Sequence, residues 1–131
     1  MKKVLIEKVP EIKEGLKAKR WREERGEFVQ IAYNEEMRHL AIFEIRKDFM
    51  RGSHYHERKE EIFYMVYGRM EAKFIDMDTH QRKESNLMRG DKIWIKPRCS
   101  HLFQALEDTL VVEYSPQVYE IEDNHKIEFW R

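Results

Sequence analysis

The 131-residue chain has little cysteine, proline or glycine, and it contains no long apolar run. The one cysteine, Cys99, excludes an intrachain disulfide framework and agrees with a reducing compartment. No apolar stretch approaches the roughly 20 residues that a membrane-spanning helix needs. Residues 1–8 lack the apolar core of a signal peptide. We therefore expect a cytoplasmic protein without a membrane segment.

The chain also lacks an excess of either charge. Its 25 basic and 25 acidic residues cancel, so net charge gives no reason to expect binding to nucleic acid or to an anionic membrane. No Ser-His-Asp or Cys-His pattern surrounds Cys99, which we expect to be a small buried thiol rather than a nucleophile. The length and the hydrophobic fraction of 41% suit one domain with one core, spanning residues 1–131.

What the chain does contain is a series of short strand-like segments separated by turn residues. They are rich in β-branched and aromatic residues, and they lie at 28–33, 40–45, 53–56, 61–67, 70–75, 92–95, 101–106 and 110–114. Such spacing predicts an all-β barrel or sandwich. Neither an alternation of strand and helix patterns nor an internal repeat competes with this interpretation.

The two ends of the chain differ from this central part. Residues 1–27 are predicted to be an irregular N-terminal arm with one short edge strand at Val4–Val9. This arm is either a lid or dimer arm, or a solvated segment anchored by Trp21. Residues 116–131 are expected to form a C-terminal tail whose aromatic residues, Phe129 and Trp130, pack on the barrel or on a second subunit.

Two histidines, His54 and His56, stand one residue apart, and Glu61 follows them after a short charged turn. In an extended chain, side chains at i and i+2 point to one face, so the two imidazoles would converge. A return strand beginning at Glu61 would aim its carboxylate at the same place. His101, which opens a later strand, can reach this place in a closed antiparallel barrel. Three imidazoles and a carboxylate suit a catalytic divalent-metal site.

These residues resemble the motifs of the cupin superfamily. The first cupin motif, G(X)5HXH(X)3-4E(X)6G, is matched at His54, His56, Glu61 and Gly68. We prefer Glu61 to Glu60 because only Glu61 has the required spacing to Gly68. The opening glycine departs from the motif, since Gly52 lies only two residues before His54.

The second cupin motif, G(X)5PXG(X)2H(X)3N, is matched less well. Gly90 and His101 agree with it, whereas other positions depart, namely Lys96, Pro97, Arg98 and Ala105. The resemblance covers residues 38–115. It implies an RmlC-like cupin: a double-stranded β-helix, or jelly-roll barrel, with its core at about residues 28–115 and a homodimeric assembly.

The resemblance also implies that a divalent transition metal (Mn, Fe, Ni or Zn) is bound by His54, His56, Glu61 and His101. The alternative is a metal-free cupin whose histidines line a polar pocket or act as acids and bases. The remaining histidines, His39, His80 and His125, lie outside both motifs, and we expect them to be exposed or incidental.

The segment that contains these histidines is similar to those of sugar-nucleotide enzymes. Residues 51–54 resemble the Arg-Gly-x-His segment of dTDP-4-dehydrorhamnose 3,5-epimerases, and residues 51–56 resemble the two-histidine segment of dTDP-4-keto-6-deoxyhexose ketoisomerases. The His-x-His-x4-Glu spacing is closer to the cupin module attached to capsular-sugar nucleotide reductases. These resemblances imply a metal-binding isomerase or epimerase acting on a nucleotide-linked keto sugar. The alternatives are a metal-dependent oxygenase or decarboxylase on a small acid, and a non-enzymatic small-molecule sensor.

Several side chains are candidates for the chemistry of such an enzyme. His54, His56 and Tyr64 are candidates for moving a proton. Arg51 and Arg46 are candidates for holding a phosphate or carboxylate of the substrate. Phe63 and Met65 share the strand parity of Glu61, so we expect them to line the barrel and contact the substrate.

Overall fold

Within residues 1–130, the part of the chain that the structure describes, the computed structural model contains no α-helix and one turn of 3-10 helix at Ile121–Asp123. Its twelve strands are β1 Val4–Lys8, β2 Lys19–Glu23, β3 Gly26–Gln30, β4 His39–Ile45, β5 Met50–Tyr55, β6 Glu61–Tyr67, β7 Arg69–Asp76, β8 Arg82–Met88, β9 Asp91–Ile95, β10 Cys99–Ala105, β11 Thr109–Ser115 and β12 His125–Lys126. No helix in this range is long and apolar enough to cross a membrane. The predicted all-β class is confirmed.

Ten of the strands form two antiparallel sheets. The first sheet has the order β1-β9-β6-β11-β4, and the second has the order β12-β5-β10-β7-β8. From β4 onward the chain passes repeatedly from one sheet to the other, which is the connectivity of a jelly roll. This crossing places β6 of the first sheet opposite β5 and β10 of the second, and these three strands position the site.

The barrel interior is filled by the side chains that alternate inward along each strand. In β7, Met70, Ala72 and Phe74 are fully buried, whereas the intervening residues are at least partly exposed. The contiguous core comprises Val4, Ile45, Phe63, Met65, Met70, Ala72, Phe74, Leu87, Ile93, Ile95, Cys99, Phe103, Ala105 and Val111. Cys99 is buried within this cluster, as the sequence predicts.

Gly68, the last residue of the first cupin motif, makes the turn between β6 and β7. Its φ of +94° lies in the left-handed region. A Cβ atom here would stand 2.6 Å from the carbonyl oxygen of Asp108. The turn therefore requires glycine both for its backbone conformation and for the close approach of the β10–β11 connection.

The N-terminal segment is more ordered than the predicted irregular arm. The expected edge strand is present as β1, at the edge of the first sheet. Beyond it, β2 and β3 form a hairpin in which Trp21 stacks on Phe28 with ring centroids 4.3 Å apart. Arg20 ties this hairpin to the preceding chain by donating from Nε to the Val9 carbonyl oxygen at 3.0 Å. Four of the five residues of β2 are charged, including the buried Arg20, and this charge hides its strand character in the sequence.

The C-terminal segment packs on the second sheet. Its strand β12 pairs with β5. Trp130 donates from Nε1 to the Glu84 carboxylate at 2.9 Å, and its carbonyl oxygen accepts a bond of 2.9 Å from the Lys73 ammonium. The predicted packing of the tail on the barrel is therefore seen at Trp130.

Candidate active site and metal centre

Three strands bring the motif residues together. His54 is on β5, His56 follows the end of β5, Glu61 begins β6, and His101 lies on β10 directly opposite His54. The imidazole centroid of His54 is 4.9 Å from that of His101 and 5.0 Å from that of His56. The i, i+2 spacing and the antiparallel pairing thus act as the sequence predicts.

A bulge in β5 allows this approach. His101 pairs with His54 and Leu102 pairs with Gly52, so Ser53 is an extra residue in β5. Both bulge residues have left-handed backbones, with φ of +111° at Gly52 and +64° at Ser53. A Cβ atom on Gly52 would lie 2.5 Å from the His101 carbonyl oxygen. The glycine two residues before His54 is therefore needed for the contact between β5 and β10.

The ligand atoms of the cluster lie close enough to share one ion. One nitrogen each of His54 and His101 and an oxygen of Glu61 all fall within 4.8 Å of one another. Glu61 Oε1 is 3.7 Å from His101 Nδ1 and 3.3 Å from His56 Nε2. Glu61, His56 and His101 are each at most 5% exposed. The carboxylate thus lies among the imidazoles at the buried side of the cluster, whereas His54 is half-buried.

The backbone fixes the tautomer of His56. Its Nδ1 lies 2.7 Å from the carbonyl oxygen of Asp123. Because a carbonyl oxygen only accepts, Nδ1 must carry the proton, and Nε2 is the nitrogen that faces Glu61. A lone pair on Nε2 and a carboxylate oxygen at 3.3 Å repel each other unless a proton or a metal cation lies between them.

The pKa values of the cluster follow from burial and from mutual contacts. Burial raises the pKa of Glu61, but His101, His56 and Lys59 outweigh it and lower that pKa to about 2. Burial lowers the pKa of His101 to about 4, against the opposing effect of Glu61. Glu61 is therefore ionised and His101 neutral near pH 7, as metal ligands must be.

The other two histidines shift in opposite directions. Burial lowers the pKa of His54, although Glu61 opposes this, so His54 is neutral near pH 7. Burial also lowers the pKa of His56, but the Glu61 carboxylate and the Asp123 carbonyl oxygen overcome it, and the net pKa is raised. The cluster therefore contains a neutral imidazole able to accept a proton and an imidazole held beside a carboxylate.

The donor set fits a divalent transition metal. His101 Nδ1 is buried without a hydrogen-bond partner, and His56 Nε2 is left for a cation by the bond at Nδ1. Imidazole nitrogens and one carboxylate oxygen are the ligands that Zn, Fe, Ni and Mn share. The hydrogen bond from His56 to a backbone carbonyl oxygen is the outer contact that orients a histidine ligand.

The cluster faces a cavity of about 530 Å³ inside the barrel. Its wall combines aromatic side chains with titratable groups from both sheets. The lining residues are His39, Phe43, Arg51, Gly52, His54, His56, Lys59, Glu61, Phe63, His101, Phe103, Glu113 and Tyr119. Titratable groups with shifted pKa values that converge on one cavity between aromatic side chains indicate a candidate small-molecule site.

Lys59 is the least expected member of this wall. It is only 4% exposed, yet it forms no ion pair with any group in residues 1–130. Its ammonium lies 5.4 Å from the centre of the Tyr119 ring. A lysine is seldom buried without a partner, so this ammonium is available to an anionic group in the cavity. The spacing of the motif residues does not predict that Lys59 lines the cavity, because Lys59 lies in the irregular loop after β5 and not on a strand.

Two more cavity residues escape sequence reasoning. Glu113 points inward from β11; burial raises its pKa, and the nearby Glu61 carboxylate adds to the rise. The sequence predicts an exposed or incidental His39, but His39 lines the cavity, and its buried Nδ1 has no partner in the structure's described range. A signal was available in both cases, since His39 shares strand parity with Phe43, and a glutamate interrupts the apolar strand β11.

The structure separates the predicted substrate residues into two groups. Arg51 and Phe63 line the cavity, with the Phe63 ring centroid 5.4 Å from that of His101. Met65 lies deeper in the core, and Arg46 is exposed in the β4–β5 turn, so neither lines the cavity. Contact of these last two with a substrate in this cavity is a wrong prediction.

Tyr64 is also displaced from the site. It has the opposite parity to Glu61 and Phe63 on β6, and its hydroxyl is buried near Arg20 and Glu27. The predicted proton-transfer role of Tyr64 in the cavity is therefore wrong. Tyr119, from the C-terminal segment, is the tyrosine that lines the cavity.

Comparison with known proteins identifies the family of the chain. Residues 21–123 match the model of the family described as the polysaccharide biosynthesis C-terminal domain. The chain belongs to this family. The match begins within β2 and covers β3, the whole motif region and the 3-10 turn that contacts His56. By sequence, no curated protein matches the chain.

Solved structures of sugar-nucleotide epimerases and ketoisomerases share the fold of this chain. A dTDP-4-dehydrorhamnose 3,5-epimerase from Sulfolobus tokodaii superposes with a TM-score of 0.76 at 21% identity, covering 84% of this chain and 73% of the epimerase. The TDP-quinovose 3,4-ketoisomerase WlaRB from Campylobacter jejuni gives 0.76 at 16% identity, covering 96% and 94%.

A third structure was solved with a ligand. A histidine-to-asparagine mutant of the 3,4-ketoisomerase QdtA from Thermoanaerobacterium thermosaccharolyticum, in complex with TDP-4-keto-6-deoxyglucose, gives a TM-score of 0.75 at 14% identity, covering 95% of this chain and 87% of QdtA. At these identities the likeness establishes the fold. The predicted cupin-type double-stranded β-helix is confirmed.

Proposed function

We propose that this protein is an isomerase or epimerase that moves a proton beside the carbonyl of a nucleotide-linked keto sugar. One observation carries the proposal: His54, a half-buried imidazole that is neutral near pH 7, and Lys59, a largely buried lysine without an ion pair in residues 1–130, line the same cavity. A base and a cation in one cavity suit proton abstraction next to a ketone, where negative charge develops on oxygen. The epimerases and ketoisomerases that share the fold support this substrate class.

Each cavity residue has a role in this reaction. His54 accepts the proton from the carbon beside the ketone, and the Lys59 ammonium stabilises the enolate oxygen. The Tyr119 hydroxyl accepts a bond of 3.3 Å from Asn124 Nδ2, which leaves its own O–H free to return a proton. Arg51 lies at the exposed side of the cavity wall, where its guanidinium is suited to the diphosphate.

We further propose that His54, His56, Glu61 and His101 hold a divalent transition metal, which when bound supplies Lewis-acid chemistry at the carbonyl oxygen. Both proposals use the same lone pair of His54, which cannot accept a proton and bind a metal at the same time. With a metal bound, His54 would be one of its ligands, and Glu113 would be the group that moves the proton. The Glu113 carboxyl faces the same cavity, forms no ion pair within the described chain, and has a pKa raised by burial.

The reaction is tested by incubating the protein with TDP-4-keto-6-deoxyglucose in deuterium oxide and following the sugar by NMR. We expect deuterium to enter beside the ketone. Lys59→Met should slow this exchange by about 100-fold or more, as the loss of one transition-state donor does, and Lys59→Arg should retain part of the rate. Tyr64→Phe is the control, because that hydroxyl lies outside the cavity. No exchange across a panel of keto-sugar nucleotides would refute this proposal and favour an oxygenase or a binding module.

The metal is tested by elemental analysis of protein purified without a histidine tag. We expect close to one equivalent of a transition metal and a higher melting temperature when metal is added. Glu61→Gln should lose the metal. Glu60→Gln is a matched control, because Glu60 is the adjacent carboxylate and its nearest cation is Lys96 at 3.9 Å. Less than about a tenth of an equivalent, with no thermal shift, would contradict the metal proposal.

We also propose a homodimer in the cytoplasm. The dimer is supported by strand β4, which forms one edge of the first sheet and leaves Leu40 66% and Ile42 63% exposed. Light scattering during gel filtration measures the assembly, and we expect twice the monomer mass. Leu40→Lys should shift the protein to the monomer. A monomeric wild-type protein would contradict the dimer.

A further inference from the structure

Asp123 contacts the site through both its main chain and its side chain. It ends the 3-10 turn at Ile121–Asp123 and is only 3% exposed. Its carbonyl oxygen accepts the hydrogen bond from His56 Nδ1 at 2.7 Å. Its carboxylate accepts a bond of 2.8 Å from the backbone N–H of Glu57. One residue of the C-terminal segment thus holds a site imidazole and the chain that follows it.

The carboxylate of Asp123 also binds the next two backbone N–H groups. Those of Arg58 and Lys59 lie 3.3 Å from its oxygens. Three successive N–H groups directed at one carboxylate form a small anion-binding nest. The pKa of Asp123 is raised by burial but lowered overall by these N–H groups and by Arg58, so the carboxylate is ionised near pH 7. The nest fixes the path of the loop between β5 and β6.

This loop has no regular structure of its own. Residues 56–60 lie outside every strand, and they carry both His56 and Lys59 into the cavity wall. Flanking contacts come from the same C-terminal segment: Glu60 N–H donates to the Gln117 side chain at 2.9 Å, and Arg58 pairs with Glu120 at 2.6 Å. Among the side chains of residues 1–130, only the Asp123 carboxylate binds three consecutive main-chain groups of this loop.

We propose that Asp123 is a positioning residue, whose carboxylate holds the 57–59 loop so that Lys59 enters the cavity and the His56 ring keeps its Nδ1–H on the Asp123 carbonyl oxygen. The catalytic consequence rests on the function proposed above; the positioning itself does not. Substituting Asp123 changes its side chain but keeps its main-chain carbonyl group. Any effect on His56 is therefore caused by the loss of the carboxylate and of its bonds to the loop.

The test compares Asp123→Ala and Asp123→Asn with Glu122→Gln, a neighbouring acid in the same turn that forms no ion pair in the described chain. NMR of nitrogen-15-labelled histidine follows the Nδ1–H proton of His56. We expect a slowly exchanging Nδ1–H in the wild type and in Glu122→Gln, and its loss in Asp123→Ala. Asp123→Asn keeps one acceptor for the Glu57 N–H, so its signal should be intermediate.

Activity is the second measurement. Deuterium exchange in Asp123→Ala should show a kcat about 10- to 100-fold lower, the range for outer contacts of a site, with a small change in KM. A melting temperature for each variant confirms that it is folded. If Asp123→Ala does not fold, Asp123→Asn is used for the same comparison.

The outcomes separate the two proposals. A wild-type Nδ1–H signal that depends on Asp123, without any deuterium exchange, supports the positioning and overturns only the proposed function. A His56 signal and a kcat unchanged in both Asp123 variants would overturn the positioning role.

Discussion

Gly52→Ala is the substitution for which the structure gives the most specific expectation. Gly52 has a φ of +111°, and an added Cβ atom would meet the His101 carbonyl oxygen at 2.5 Å and the His101 ring at 3.2 Å. Ordinary contact begins at 3.4 Å, so β5 and β10 must separate by roughly 0.9 Å in a close-packed sheet. The change would move His101 relative to His54 and Glu61.

The cost has two parts that a control can separate. A left-handed backbone costs a non-glycine residue about 1–2 kcal/mol. Displacing the paired strand adds about 1–3 kcal/mol, as overpacking does. Gly15→Ala is the matched control, since Gly15 has a φ of +94° but no atom within 4 Å of the added Cβ. Gly15→Ala should therefore lose only the free energy that the left-handed backbone costs.

Urea unfolding measures both variants. We expect the free energy of unfolding to fall by about 2–5 kcal/mol in Gly52→Ala, and by about 1–2 kcal/mol in Gly15→Ala. Gly52→Ala should also bind metal more weakly, because the bulge sets the separation of the ligands, whereas Gly15→Ala should bind it normally. Equal stabilities in the two variants, with unchanged metal content in Gly52→Ala, would refute the structural role of the bulge.

Three further expectations concern stability, reactivity and specificity. Burial raises the pKa of Asp76, but Lys3, at 2.7 Å, and two backbone N–H groups lower it from 3.8 to about 2. Its stabilisation, at most about 2 kcal/mol, is therefore nearly complete above about pH 4 and is lost as pH falls through 2. Urea unfolding of Asp76→Asn should show a deficit in the free energy of unfolding at pH 7 that has largely gone by pH 2, and a constant deficit would contradict this expectation. Burial raises the pKa of Cys99 to about 12, so thiol reagents at pH 8 should label it only after unfolding, and rapid labelling of folded protein would contradict its burial. Tyr64→Phe should retain wild-type deuterium exchange, and a large loss would return Tyr64 to the reaction.

The local pattern of the sequence predicts the fold class well, and it predicts that the motif side chains lie close together. The spacing of His54, His56 and Glu61 needs only strand periodicity and one turn to bring the side chains together, and both hold in the structure. The spacing of Gly52, which departs from the cupin motif, is explained by the bulge at Ser53. A bulge is a property of two paired strands, so one strand's sequence does not reveal it.

Other parts of the site depend on long-range contacts. Lys59 and Asp123 are ordinary charged residues in the sequence, and they become part of the site only because the C-terminal turn packs against the loop after β5. Tyr119 reaches the cavity by the same packing. The strand β8, Arg82–Met88, escapes prediction because it is an edge strand with one buried side chain, Leu87, and its sequence is otherwise polar.

A crystal structure of the protein with TDP-4-keto-6-deoxyglucose tests the central claim most directly. We expect the keto sugar inside the barrel, with the carbon beside the ketone within about 3.5 Å of a cavity base, His54 or, with metal bound, Glu113. The ketone oxygen should face Lys59 or a metal held by the histidines. A sugar bound outside this cavity, or one whose ketone faces neither group, would contradict the account.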